Sequence, residues 1–213
     1  MLSLQLADPR TILCIGAHCD DIEIGCGGTL SLWAQRYPQA RFIWATFAGS
    51  PARVAESRAA AHALLGESRV EFRLHDFPDS FFPAHYAPIK EAVAALRGVE
   101  PDVVLTHYEH DRHQDHRTLA ELTYSAFRNH VVLEYEIPKY DGDLGRPNVY
   151  VPLPESLARG KVEALLASFP TQAGRDWFTA DTFLALMRLR GIECRAASGL
   201  AEAFFGRKLV LGT

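Results

Sequence analysis

Histidine and aspartate side chains follow two separate apolar runs of the chain. His18 and Asp21 come directly after the apolar residues 11–17, and they stand three positions apart. A second group, from His107 to His116, follows the apolar residues 102–106. Two imidazoles and one carboxylate can hold a catalytic Zn²⁺ and leave one position free for water. The two groups therefore predict a catalytic metal centre.

The first group offers two ligands and a base. Residues i and i+3 of a strand-to-loop turn can point to one centre, so both His18 and Asp21 can reach a metal ion. Asp20 projects differently, and its carboxylate can accept a proton from a water molecule beside the metal. The alternative is that Asp20 and Asp21 only cap the helix that follows, which is a common use of Asp. The motif on its own leaves both interpretations open.

The second group places two imidazoles at the start of a predicted helix. His113 and His116 are spaced i, i+3 and share one helical face, so either can be a ligand. If His116 binds the metal, His113 can stabilise an oxyanion or protonate a leaving group. Asp115 would then orient an imidazole through its free N–H. Surface loops also collect polar residues, but four of the nine His lie within residues 107–116, which argues against chance.

Short apolar runs alternate with longer amphipathic ones, a pattern typical of βαβ units. We predict a single α/β domain over residues 1–213, with a mostly parallel, Rossmann-like sheet flanked by helices. In such sheets, ligands bind beyond the carboxyl ends of the strands, where both groups fall. The glycines at positions 25, 27 and 28 are interpreted as a tight turn. Predicted strands cover residues 11–17, 41–47, 69–74, 103–107, 131–137, 149–151 and 204–211, and predicted helices cover residues 29–36, 53–65, 89–97, 115–127, 155–169 and 179–190.

Composition narrows the class of protein. With 213 residues, 48% of them hydrophobic, and a net charge of -4, the chain is an ordinary globular one and lacks the basic character of a nucleic-acid binder. No apolar stretch approaches the roughly 20 residues that span a bilayer, and the N-terminus has no signal-peptide pattern. The four Cys show no C-x-x-C spacing, so we expect free thiols and a cytoplasmic location. The expected partner is a small molecule, and a homo-oligomer is left open.

The two groups together resemble the signatures of the LmbE/PIG-L family of zinc-dependent N-deacetylases, which act on N-acetylglucosamine-type sugars. The family's first signature is Ala-His-Pro-Asp-Asp followed by an acidic residue and Gly-Gly-Thr, and residues 17–29 match it apart from Cys19. Its second signature, His-x-Asp-His, corresponds to residues 113–116. Supporting similarities lie at residues 53–56, 65–66, 78–80, 101–104, 171–172 and 200–204 and at Lys161.

The resemblance implies a role for each residue. One Zn²⁺ is expected on His18, Asp21 and His116, with Fe²⁺ or Co²⁺ as alternatives. Asp20 becomes the general base and His113 the electrostatic or acid partner. The expected reaction is hydrolysis of the acetamide of an N-acetylated amino sugar by a metal-bound water. The remaining implied positions are Arg53 and Asp79, which would face the sugar.

The chain departs from the family at two positions. Cys19 replaces the usual Pro, which removes a fixed φ from the turn and puts a thiol beside the metal, but we expect the turn to survive. Asp111 stands where some members carry an aromatic hydroxyl near the reacting carbonyl, so Arg112 and Tyr108 become candidates for stabilising the oxyanion.

Two other functions compete with sugar deacetylation. The first is a metal-dependent amidase that cleaves a larger thiol or sugar conjugate with the same site. The second is a non-catalytic α/β binding protein whose His and Asp residues only cap helices. Metal content separates the second from the enzymes, because a binding module should purify without stoichiometric Zn²⁺ and tolerate loss of Asp20.

Overall fold

The computed structural model describes residues 3–210, in which strands and helices alternate as far as residue 135. The strands are β1 (Thr11–His18), β2 (Arg41–Ala48), β3 (Val70–Leu74), β4 (Val103–His107), β5 (Val131–Tyr135), β6 (Val149–Pro152) and β7 (Ala201–Gly206). The α-helices are α1 (Asp21–Arg36), α2 (Pro51–Leu65), α3 (Tyr86–Ala95), α4 (Gln114–Ala126), α5 (Glu155–Ser168) and α6 (Ala180–Cys194).

All of these strands belong to one sheet, in the order β3-β2-β1-β4-β5-β7-β6. The pairs from β3 to β5 are parallel, whereas β7 is antiparallel to both β5 and β6. The predicted α/β class with a mostly parallel sheet is therefore confirmed. The chain leaves β1 towards β2 on one side, and β4 lies on the other side, so the strand order reverses between β1 and β4. A ligand crevice is expected at such a point, beyond the carboxyl ends of the two strands.

Helices cover the sheet on both faces. Ile12 and Cys14 of β1 face a core that includes side chains of α1, α2, α5 and α6. Leu13 and Ile15 face a second core, formed with α3 and α4. Strands that are covered on both faces become continuously apolar, which is the pattern that identified β1 in the sequence. The rigid sheet thus fixes the strand ends from which the His and Asp groups extend.

The prediction for the first helix was wrong in its start. Helix α1 begins at Asp21 instead of Thr29, so the glycines of residues 25–28 lie inside the helix and do not form a tight turn. Their role is close packing: a Cβ atom on Gly25 would lie 2.2 Å from the ring of Tyr135, and one on Gly28 would lie 2.6 Å from Leu153. A glycine in a helix costs about 0.8–1.0 kcal/mol relative to alanine, and this approach of α1 to the sheet offsets the cost.

Several residues that matched the family outside its signatures form buried polar pairs. Lys161 on α5 donates to Glu202 on β7 (2.6 Å) and to the carbonyl of Ile24 (2.5 Å). Glu56 on α2 accepts from the backbone N–H (2.9 Å) and the hydroxyl (2.5 Å) of Thr171. These pairs tie α1 and α2 to the C-terminal third of the chain, so their role is to fix the helices that frame the site.

Other boundaries differ by a few residues. The predicted strand 204–211 begins earlier, at Ala201, and ends at Gly206; its predicted last residue, 211, lies outside the described range. The early start was missed because Glu202 puts a buried charge in the strand. Helix α6 continues to Cys194 beyond its predicted end at residue 190. Helix α3 starts at Tyr86 and passes into a short 3₁₀ turn.

Two further expectations concern thiols and membranes. All four Cys are free thiols, as predicted, and those at positions 14, 19 and 26 are buried. Within residues 3–210, we find no helix with the length and apolar character needed to cross a bilayer.

Candidate metal centre

The carboxyl ends of β1 and β4 bring the three predicted ligands together. His18 is the last residue of β1, Asp21 is the first of α1, and His116 lies in the first turn of α4. His18 Nδ1 lies 3.3 Å from His116 Nε2. The Asp21 carboxylate reaches both imidazoles, with Oδ2 at 3.5 Å from His18 Nδ1 and Oδ1 at 3.5 Å from His116 Nε2.

These separations suit a tetrahedral ion. Ligand atoms at 2.0–2.1 Å from Zn²⁺ are roughly 3.3–3.4 Å apart in a tetrahedron. Two imidazoles and a carboxylate also accept Fe²⁺ or Co²⁺. Three overlapping groups offer ligand atoms that lie within 4.8 Å of one another. Two of them contain His116, one with His18 and His113 and the other with Asp21 and His107, and the third consists of His18, Asp79, His113 and Asp115. The residues present fit a divalent cation, and the choice of His18, Asp21 and His116 as its ligands stays a prediction.

Carboxylates hold the outer nitrogens of the two imidazoles. His18 Nε2 lies 3.1 Å from Asp115 Oδ2 and 3.2 Å from Asp79 Oδ1, while His116 Nδ1 lies 2.9 Å from Asp111 Oδ2. A carboxylate in this position keeps the proton on the outer nitrogen and directs the lone pair of the inner nitrogen to the centre. The Asp115 carboxylate lies within reach of His18 Nε2, and its predicted role in orienting an imidazole stays a prediction. The contact of Asp111 was missed, because the sequence presented that residue only as the replacement of an aromatic hydroxyl.

Asp115 is itself fixed by the backbone. Its carboxylate accepts from the N–H groups of Ser80 (2.6 Å) and Phe82 (3.0 Å). Burial alone would raise the pKa of Asp115, but the hydrogen bonds from His18, Phe82 and Ser80 lower it overall. Asp115 is therefore an ionised, immobile acceptor for His18.

His107 packs against two of the predicted ligands, His116 and Asp21. It is fully buried at the end of β4, and its ring stacks on that of His116 with centroids 3.9 Å apart. Its Nε2 accepts from the N–H of Ala17 (2.9 Å) and lies 3.3 Å from Asp21 Oδ2. Sequence reasoning noted His107 without giving it a role. Its contacts pack it against His116 and fix the end of β1.

Asp20 is buried in an unusual backbone conformation. Its φ of 136° lies in a region that L-residues rarely adopt. The residue precedes α1, but its side chain makes no capping hydrogen bond, so the interpretation of Asp20 as a helix cap is wrong. Its Oδ2 instead pairs with Arg53 at 2.8 Å, and the same guanidinium donates to the carbonyl of Cys19. Arg53 thus holds the strained turn and aims the carboxylate.

The surroundings of Asp20 tune its acidity. Burial raises the pKa of Asp20 to about 7, while Arg53 opposes this shift and Asp21 adds to it. A carboxylate with a pKa near neutrality suits proton transfer. A cation bound by His18 and Asp21 would lower this pKa again, because positive charge favours the carboxylate.

His113 caps α4 with its ring. Nδ1 accepts from the backbone N–H of Asp115 at 3.3 Å, which places the ring proton on Nε2. The centroid of its ring lies 4.9 Å from that of His18 and 4.6 Å from that of His116. Burial, and then the nearby His18, lower the pKa of His113. At neutral pH the residue is a neutral N–H donor at the edge of the centre.

Cys19 does not join the centre. Its Sγ lies 3.6 Å from the carbonyl of Ala48, and a Cβ atom on Gly49 would approach this sulfur to 2.4 Å. Burial raises the pKa of Cys19 to about 12, so the thiol stays protonated. No cluster of possible metal ligands in residues 3–210 includes it.

A cavity of about 400 Å³ opens beside His18, which is within the usual size of small-molecule sites. Both predicted substrate residues, Arg53 and Asp79, line it. Other lining residues are Cys19, Gly49, Ser50 and Phe77.

The two candidates for the oxyanion have other contacts. Tyr108 stacks on Phe205 with centroids 3.7 Å apart, and Arg112 is exposed. Among residues 3–210, no side-chain hydrogen bond or ion pair joins either of them to His18, Asp21 or His116. The structure thus favours neither.

Comparison with known proteins identifies the relatives of this chain. The family model described as PIG-L, GlcNAc-PI de-N-acetylase, matches residues 13–127, which run from β1 to the end of α4. The uncharacterized deacetylase YaiS of Escherichia coli K12 is 32% identical over 144 residues, covering 61% of this chain and 75% of YaiS.

Solved structures share the fold at low identity. The conserved protein TT1542 of Thermus thermophilus gives a TM-score of 0.73 at 22% identity, covering 95% of this chain and 96% of its own. The N,N'-diacetylchitobiose deacetylase of Pyrococcus horikoshii gives a TM-score of 0.70 at 19% identity, covering 94% of this chain and 84% of its own. GalB of Pseudomonas putida, a 4-carboxy-2-hydroxymuconate hydratase, gives a TM-score of 0.75 at 18% identity, covering 96% of this chain and 98% of its own.

A hydratase on the same fold means that architecture alone does not fix the reaction. The family model, in contrast, spans more than half of the sequence and contains every residue of the candidate centre. This protein therefore belongs to the PIG-L (LmbE) family of de-N-acetylases.

Proposed function

We propose that this protein is a metal-dependent N-deacetylase that hydrolyses the acetamide of an N-acetylated amino sugar or sugar conjugate. The observation that carries the proposal is the convergence of His18, Asp21 and His116 at 3.3–3.5 Å beside the buried carboxylate of Asp20. Membership of the PIG-L family and the similarity to a protein named as a deacetylase support the choice of reaction.

The proposed ligands of the divalent cation are His18, Asp21 and His116, one ion per chain. When bound, Zn²⁺, or Fe²⁺ or Co²⁺ in its place, supplies Lewis acidity to the amide carbonyl and to the attacking water.

Asp20 is the proposed general base. As the water oxygen bonds to the carbonyl carbon, Asp20 accepts its proton, and the ion pair with Arg53 at 2.8 Å keeps the carboxylate in place. Scission of the C–N bond then requires a proton on the leaving nitrogen, which Asp20 can return. The products are acetate and a free amine.

His113 is the proposed stabiliser of the carbonyl oxygen. Because Nδ1 accepts from the backbone of α4, Nε2–H is free to donate to an oxygen that gains negative charge. The lowered pKa of His113 favours this role over that of an acid.

The sugar ring is assigned to the cavity beside His18. Asp79 is 70% exposed, and its hydrogen bond to His18 lowers its pKa, so it offers an ionised acceptor for hydroxyl groups. Arg53 reaches the same cavity from α2.

The test is incubation of the Zn²⁺-loaded protein with a panel of N-acetylated sugars, with released acetate and free amine measured. We expect acetate from at least one sugar, none after chelation of the metal, and release slowed about 10²- to 10⁴-fold in Asp20→Asn. Cleavage of larger thiol or sugar conjugates alone would favour the amidase alternative. A protein that binds no metal and releases no acetate would be a binding module.

A further inference from the structure

A series of buried charged side chains extends from His116 to the loop between β5 and β6. Asp111 Oδ2 lies 2.9 Å from His116 Nδ1 and 2.9 Å from Lys139 Nζ. Lys139 also contacts Asp143 Oδ2 at 2.6 Å. The side chains of Asp111, Lys139 and Asp143 are only 3%, 10% and 7% exposed, so water screens these charges weakly.

The contacts make Lys139 the partner of Asp111 on the side away from the centre. Oδ1 of Asp111 accepts from the N–H of His113 (2.7 Å), which leaves Oδ2 to be shared by His116 and Lys139. Within residues 3–210, Lys139 is the one Lys or Arg side chain that pairs with the Asp111 carboxylate. Asp143 accepts a hydrogen bond from the backbone N–H of Arg112 (2.7 Å). The series of charged groups is therefore held at both ends, by His116 at one and by this backbone contact at the other.

We infer that Lys139 is a positioning residue of the metal centre, acting through Asp111 on His116. The inference rests on the proposed function, because it takes His116 as a ligand. By sharing Oδ2, Lys139 holds the carboxylate in line with His116 Nδ1, which turns Nε2 towards His18 and Asp21.

Lys139 also neutralises part of the buried negative charge. An unpaired carboxylate in this place would be costly to bury. The ion pair with Lys139 therefore keeps the Asp111 carboxylate in place, within hydrogen-bond distance of His116 Nδ1.

A competing explanation is that Lys139 only anchors the loop. Arg190 on α6 distinguishes this explanation from the inference. It donates to the carbonyl of Gly145 in the same loop (3.2 Å) and pairs with Glu136 (2.6 Å), but it does not contact Asp111. Its side chain is 8% exposed, so it matches Lys139 in burial and charge. Arg190→Met is therefore the control variant.

The experiment measures Zn²⁺ affinity by competition with a chelator, in wild type and in Lys139→Met, Lys139→Arg, Asp111→Asn, Arg190→Met and the double variant Lys139→Met/Asp111→Asn. Loss of a partner that orients a ligand weakens metal binding about 10- to 100-fold. We expect such a loss in Lys139→Met, with Lys139→Arg within a few-fold of wild type. Because Lys139 acts through Asp111, the double variant should bind no more weakly than Asp111→Asn. Arg190→Met should keep wild-type affinity.

The visible spectrum of the Co²⁺-loaded protein adds a readout of ligand geometry. It should change in Lys139→Met and not in Arg190→Met. If Lys139→Met does not fold, Lys139→Gln keeps a polar side chain without the charge and takes its place.

Unchanged affinity in Lys139→Met, additive losses in the double variant, or an equal loss in Arg190→Met would each overturn the inference. A wild-type protein that binds Zn²⁺ but releases no acetate would overturn the proposed reaction alone. A wild-type protein that binds no Zn²⁺ would overturn both.

Discussion

At the residue scale, Asp20 combines features that a helix cap does not need: burial, a φ of 136° and an ion pair with a partly buried arginine. Such strained residues tend to persist where function requires them. Asn keeps the shape of Asp and tolerates positive φ better than most residues, so Asp20→Asn isolates the charge.

We expect Asp20→Asn to keep metal and fold while kcat falls about 10²- to 10⁴-fold, the usual cost of a lost general base. Metal content, the melting temperature and kcat are the measurements. An Asp20→Asn enzyme within a few-fold of wild type would mean that another group takes the proton.

His113 has two roles that mutation can separate. His113→Ala removes both the cap of α4 and the Nε2–H donor, whereas His113→Asn restores a favoured N-cap only. We expect kcat to fall in both variants by the equivalent of roughly 2.7–4 kcal/mol, with KM changed less. The melting temperature should fall in His113→Ala and recover in His113→Asn. If His113→Ala loses its metal, His113 is a ligand.

Glu23 is a buried carboxyl group whose Oε1 accepts from Ser57 (2.6 Å), while Oε2 has no partner within residues 3–210. Burial raises the pKa of Glu23 to about 8, against an ordinary value of 4.5. The folded state then binds a proton that the unfolded state has released, so this group lowers stability as pH rises from about 4.5 to about 8.

Replacing Glu23 with Gln should remove that dependence. We expect Glu23→Gln to melt at a higher temperature than wild type at pH 9, and the difference to shrink towards pH 5. Thermal melts of the two proteins across this range are the measurement. A difference in melting temperature that stays constant with pH would show that Glu23 does not titrate in this pH range.

At the element scale, the glycines of α1 show what the sequence can and cannot predict. The strand ends of β1 and β4 were predictable, because an apolar run followed by polar residues marks them locally. The start of α1 was not predictable, because glycines in the sequence indicate a turn. What explains Gly25 is its packing against Tyr135, a residue 110 positions away.

Gly25→Ala should therefore destabilise the protein, since its Cβ would lie 2.2 Å from the Tyr135 ring. Overpacking of this kind typically costs about 1–3 kcal/mol. Gly160→Ala is the matched control, because Gly160 lies in α5 with open space around its Cβ position. It should stabilise the protein by about 0.4–1 kcal/mol. Denaturant unfolding of both variants measures the two effects, and equal changes would contradict the packing argument.

At the scale of the whole molecule, the candidate centre joins parts of the chain that only the sheet brings together. His18 and His116 were predictable as a pair because parallel strands present their carboxyl ends at one edge. The link from Asp111 to Lys139 was not, since it depends on how the loop after β5 folds back across 28 positions of sequence. Local patterns thus predict candidate ligands, and tertiary packing determines which groups contact them.

A cation at this centre would crosslink β1, α1 and α4, so removing it should weaken the whole fold. A ligand present at 1,000 times its Kd stabilises the native state by about 4.1 kcal/mol. For a protein of this size, 1 kcal/mol shifts the melting temperature by roughly 2–4 °C. We therefore expect a chelator to lower the melting temperature of the Zn²⁺-loaded protein by roughly 8–16 °C.

This change in melting temperature should depend on the predicted ligands and not on Asp20. Asp21→Ala and His116→Ala should melt at the same temperature with Zn²⁺ or with chelator, whereas Asp20→Asn should keep most of the shift. Metal analysis of the same variants gives occupancy directly. Full occupancy or an intact shift in Asp21→Ala or His116→Ala would move the ligand role to His107 or His113, whose ring nitrogens lie within 4.8 Å of the other ligand atoms in their groups.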